Sequence, residues 1–188
     1  MPVTALDKRT ALVIIDLQKG IAAFPVVPGT GAEVITRSTT LVDAFRKAGQ
    51  PIVFVNVVPA PSREDHRADA KMPARQFSPD WAEIVPELGA ANTDIFITKH
   101  TWNAFYDTAL DEQLKSLGVT GIVLAGIATS IGVEGTARAA YERSYNITFA
   151  SDAMADMNIK AHENSLTVIF PRIGEIDTTE AIIAALGK

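Results

Sequence analysis

The chain has 188 residues, 17 Lys+Arg against 22 Asp+Glu for a formal net charge of −5, and no cysteine. This length predicts one compact domain over 1–188, and 47% hydrophobic with 21% charged residues excludes a disordered chain. The acidic balance, with no Lys/Arg cluster, speaks against a nucleic-acid partner, and the lack of cysteine excludes disulfides, thiolate metal sites and a Cys nucleophile.

The amino terminus, MPVTALDKRT, lacks the basic-then-apolar order of a secretory leader, and no apolar run approaches the ~20 residues that span a bilayer. A cytoplasmic protein without membrane partners is expected. Ala11–Asp16 is apolar until its closing acid and predicts a buried strand. From Glu33 to Ala48, Val34, Leu41, Val42 and Phe45 fall on one helical stripe, and Gly49 closes the helix. Pro51–Val58 predicts a second strand. Between Pro59 and Pro86 the chain turns irregular, with prolines at 59, 61, 73 and 79 and a mixed-charge stretch at 63–67. Such a segment is either a lid or binding loop or a solvated excursion.

Asp94–Lys99 predicts a third strand, this one closing on a base. Leu110, Leu114 and Leu117 mark a helix ended by Gly118, and Gly121–Gly126 predicts a fourth strand. The stretch Gly126–Gly135 turns into a helix carrying Val133, Ala137, Ala140 and Tyr141 on one side. Asn146–Ala150 is a fifth strand, a helix starts near Ile159, residues 173–177 form a short sixth strand, and a terminal helix ends at Leu186–Gly187. Short apolar strands alternating with helices predict an α/β fold of three α/β/α layers, a Rossmann-like, six-stranded and mostly parallel sheet.

Ligands of such sheets collect beyond the carboxyl ends of the strands. Asp16, Lys99 and the Gly/Ala/Thr/Ser turn after the fourth strand all fall on that edge. Either charge alone could simply mark where a buried strand meets water. Together, Lys99 would favour the ionised form of Asp16 while burial opposes it, the tuning a general acid or base needs. The turn 126–132 could offer backbone N–H groups to an anion. GxGxxG, GxxxxGK[ST] and GxSxG are absent, so no cofactor is expected and Ser130 has no nucleophile context. His66, His100 and His162 are too widely spaced to suggest a metal cage. Trp102 is expected to line the pocket, whereas Phe105 could equally belong to the core.

Four motifs in order resemble the isochorismatase-like hydrolase superfamily: Val-Ile-Ile-Asp16-Leu-Gln, Thr-Lys99-His-Thr-Trp-Asn-Ala-Phe105, Gly126-Ile-Ala-Thr-Ser-Ile-Gly132-Val-Glu-Gly, and Ser151-Asp-Ala-Met-Ala-Asp156. Most members use an Asp–Lys–Cys triad. The resemblance places its first two members at Asp16 and Lys99, while Gly132 stands at the Cys position. It implies an oxyanion hole at Ala128 and Gly132 with a cis peptide between Ile127 and Ala128, a small-molecule pocket touching Gln18, Trp102, Phe105 and Ser130, and a homodimer or homotetramer. Some true isochorismatases also carry Gly there and hydrolyse a vinyl ether to release pyruvate. By that likeness Asp16 would be the general acid and water the nucleophile. The Ile-Ala-Thr-Ser turn departs from the Tyr-Ala-His of those enzymes, and Arg63, Arg67, Arg75 or Arg172 could serve a dicarboxylate. The alternative is a catalytically silent relative that keeps the pocket for ligand binding or assembly.

Overall fold

The computed structural model describes residues 1–58 and 77–186. Six strands form one fully parallel sheet: β1 (Thr10–Ile15), β2 (Ile52–Val57), β3 (Ile95–Lys99), β4 (Gly121–Ile127), β5 (Asn146–Ala155) and β6 (Glu175–Asp177). Their spatial order is β3-β2-β1-β4-β5-β6. The order reverses between β1 and β4, and at such a point the loops leaving neighbouring strands diverge and open a crevice at their carboxyl ends.

All six residues of β1 are buried. Ala11, Val13 and Ile15 enter one core, with Leu114, Ala137 and Phe149 among its members. Leu12 and Ile14 enter the other, with Val34, Phe45 and Ile182. A strand covered on both faces has no polar side to show, which is why its sequence reads as an unbroken apolar run. Helices α2 (Gly31–Lys47) and α6 (Thr179–Ala185) cover one face; α3 (Leu110–Ser116) and α4 (Glu134–Tyr141) cover the other. Between them lie α1 (Lys19–Ala22) and, after β5, α5 (Ile159–Asn164).

Most strand ends differ from the sequence reading by one or two residues, and two boundaries differ for a visible reason. Helix α2 begins at Gly31, before Glu33, because Thr30 caps it: the Glu33 N–H donates to Thr30 Oγ1 and the Thr30 N–H donates to Glu33 Oε2. Strand β5 continues past Ala150 to Ala155, because a register shift in the β4–β5 pairing lets Met154 pair Gly126 and Ala155 pair Ile127. The bulge carries the Ser151–Asp156 segment along the sheet toward the edge where β4 ends. The proline-rich stretch 59–76, with Arg63, Arg67 and Arg75, lies outside the described residues.

Candidate active site

Asp16 is the first residue beyond β1. Its N–H donates to Val55 O, which holds it to the edge of the sheet, and its φ of 53° is left-handed. That conformation costs a non-glycine residue about 1 kcal/mol, although Asp tolerates it better than most. Lys99 closes β3, two strands away. Its Nζ reaches back across β2 to Asp16 Oδ2 at 2.7 Å, and also donates to Thr101 O at 3.1 Å. The two side chains are 2% and 6% exposed for Lys99 and Asp16, so this is a dry ion pair.

Burial raises the Asp16 carboxyl from 3.8 to about 6, and the charge and hydrogen bond of Lys99 only partly offset it. Oδ2 takes the lysine; Oδ1 is buried without a partner. A carboxyl held this way can carry a proton on Oδ1 close to neutral pH while Oδ2 stays anchored.

The third element is the turn after β4. The Ile127–Ala128 peptide is cis. A single wide turn over Thr129–Val133 then leads into α4. Asp156, the first residue beyond β5, fixes this turn: Ser130 N–H and Oγ–H both donate to its Oδ2, at 2.7 and 2.8 Å. Behind it, Thr129 Oγ1 lies 2.8 Å from Nδ1 of the buried His162. Burial pushes the His162 imidazole toward its neutral form.

Asp16, Lys99, Ile127, Ala128 and Gly132 line one cleft of about 410 Å³. A Cβ added at Gly132 would sit 3.1 Å from Asp16 Oδ2 and 3.7 Å from Lys99 Nζ, so position 132 faces the ion pair directly. It would also meet Ile15 Cγ2 at 2.8 Å, so that methyl must give way. Gly132→Cys is therefore expected to fold with a modest loss of stability and to place its thiol against Asp16. Its alkylation by iodoacetamide should be faster than that of a free exposed thiol and should slow when Asp16→Asn is added; equal rates would contradict this geometry.

Of the other expected pocket residues, Trp102 lines the cleft and is 63% exposed. Three do not line it. Gln18 is fully buried, with Oε1 accepting from Val57 N and Nε2 donating to Val57 O and Trp81 O, so backbone takes up its amide. Phe105 packs in the core, its ring against Tyr145 and under the Arg143 guanidinium. Ser130 is turned toward Asp156. Arg172 is also apart from the cleft and donates to Val168 O.

The sequence reading missed much of the wall. Phe24, Phe77, Trp81, His100 and Met157 line the cleft from four separate stretches of chain. Phe77 and Trp81 lie in the proline-rich stretch flagged as a possible binding loop, and their rings pack at 4.3 Å. Gly20 makes room for this wall, since a Cβ there would overlap the Trp81 ring at 1.9 Å. Among the described residues, no group of three or more His, Asp or Glu could hold a metal ion, and no helix is long and apolar enough to cross a membrane.

The sequence model of the isochorismatase domain matches residues 10–181. The isochorismatase family protein YecD of Escherichia coli O157:H7 is 42% identical over 182 residues, covering 95% of this chain and 97% of that protein. YwoC of Bacillus subtilis, a protein of the same family, is 43% identical over 180 residues, covering 94% and 93%. Among solved structures, an isochorismatase family protein from Burkholderia thailandensis superimposes with a TM-score of 0.91 at 40% identity, over 98% of each chain. With its parallel sheet, its paired Asp16 and Lys99 at the sheet edge and a match over nearly its whole length, the chain belongs to the isochorismatase family.

Proposed function

We propose that this protein is a small-molecule hydrolase that works without a covalent nucleophile at position 132. Proton delivery comes from Asp16, and water attacks. The observation that carries this reading is the buried carboxyl of Asp16, a residue that lines the cleft: it is raised to about 6 and held by Lys99 through Oδ2, while Oδ1 is buried without a partner.

Enol-ether hydrolysis matches this equipment. Asp16 donates its proton to the terminal carbon of the enol double bond, which leaves an oxocarbenium ion. Water adds to that cation and loses a proton, for which the ionised Asp16 is the nearest base. The resulting hemiketal collapses to a ketone and an alcohol. From an enolpyruvyl ether the ketone is pyruvate. Backbone N–H groups of Ala128 and Gly132, both lining the cleft, would hold the substrate carboxylate or the oxygen that gains charge. Amide or ester cleavage through an acyl-enzyme lacks its usual nucleophile, since position 132 carries no side chain and the chain has no cysteine.

The test is product release from matched substrates. Incubation with isochorismate should yield pyruvate, whereas nicotinamide and simple carbamoyl compounds should yield no ammonia above background. Ammonia release without pyruvate release would overturn the reading.

A further inference from the structure

We propose that His100 sets specificity in the cleft: its Nε2 accepts a hydrogen bond from an O–H or N–H on a ring-shaped substrate body. The inference rests on the reading of this cleft as the substrate site.

His100 follows Lys99 directly and lines the cleft with an exposed ring. Its Nδ1 lies 2.7 Å from Val58 O. A carbonyl oxygen can only accept, so Nδ1 must carry the hydrogen, and in the neutral ring Nε2 is left as a bare acceptor. The Val58 carbonyl thus fixes both the tautomer and the orientation of the ring. Few other side chains in the described wall can accept. Asp16 Oδ2 is taken by Lys99, whose Nζ also donates to Thr101 O, and Asp16 Oδ1 is buried. Besides Thr101, the remaining described lining is apolar or aromatic: Phe24, Phe77, Trp102 and Met157 are between 39% and 63% exposed, all in this one cleft. Among the described lining residues Asp16 and Lys99 are the only Asp, Glu, Lys or Arg side chains, and they contact each other. Such a wall suits the faces of a flat ring, and His100 adds a directional contact that selects a donor on it.

Two substitutions separate this role from a structural one. Asn at position 100 places its amide nitrogen where Nδ1 stands, so it keeps the bond to Val58 O but offers nothing at Nε2. Gln reaches further and places an acceptor oxygen near the Nε2 position. The probes are phenol and anisole, which share a ring and an oxygen but differ in the O–H. Both tryptophans of the chain, Trp81 and Trp102, line the cleft, so their indole N–H resonances report binding without turnover. Phenol should bind the wild type more tightly than anisole does. Its Kd should rise about five-fold in His100→Asn, the worth of one neutral hydrogen bond, and stay within about two-fold of wild type in His100→Gln. Anisole should bind all three proteins alike. Equal binding of phenol by wild type and His100→Asn, equal binding of the two probes by wild type, or no binding of phenol would each overturn the assignment. None of these outcomes bears on pyruvate release, so a failure here is distinct from a failure of the hydrolase reading.

Discussion

Asp16→Asn is expected to reduce pyruvate formation from an enolpyruvyl ether by about 10²–10⁴-fold, the range that a positioned proton donor contributes. The substitution is nearly isosteric. The amide oxygen can still accept from Lys99 Nζ where Oδ2 does now, so the fold and the position of the lysine should persist. What is lost is the carboxyl proton that the proposed reaction delivers. With the carboxyl at about 6, roughly one wild-type molecule in ten carries that proton at pH 7. The same variant leaves Lys99 buried without a counter-charge, which is destabilising, so activity must be compared at equal folded fraction, read by circular dichroism. Full activity in a folded Asp16→Asn protein would remove Asp16 from the chemistry.

Gly126→Ala should produce the largest loss of stability. Gly126 has φ of +123°, and a Cβ there would lie 2.0 Å from Ile15 O and 2.8 Å from Ile15 C and N. The first is a backbone overlap inside the β1–β4 pairing, where Ile15 faces Gly126, and no rotamer change can relieve it. Either the two central strands separate or Gly126 leaves its left-handed conformation. The cost should exceed about 3 kcal/mol, well outside the usual range for a surface change. Because Ile15 precedes Asp16, any folded fraction should also be inactive. A urea midpoint within error of wild type would show that the strands are not held this closely.

The order of elements and the acid–base pair were legible because each depends on short stretches of chain. β1 and β4 are buried on both faces and therefore read as apolar runs. A charge ending such a run is conspicuous, and this singles out Asp16 and Lys99, which meet at 2.7 Å. Gly132 could be singled out only by its place within a motif.

The cleft wall was less legible, since lining is a tertiary property. Trp102 and Phe105 sit three residues apart in the same segment, yet one is exposed at the cleft and the other is buried against Tyr145. Thr136 on α4 accepts from Ala104 N at 3.0 Å, which pins the chain between them to that helix. Gln18 and Ser130 neighbour the site in sequence, but each is occupied by groups far along the chain, Trp81 and Asp156. Asp156 lies in a motif that the sequence offered without a role; its role in fixing the 129–133 turn emerges only when β5 runs past its bulge.

The central claim is that Asp16 acts as a proton donor, and the pH dependence of kcat/KM for pyruvate formation tests it most directly. Because burial holds the acid at about 6, the rate should be level below that pH and should fall about ten-fold per unit above it. A rate that instead rises with pH through 6 to a plateau would make Asp16 a base and contradict the account.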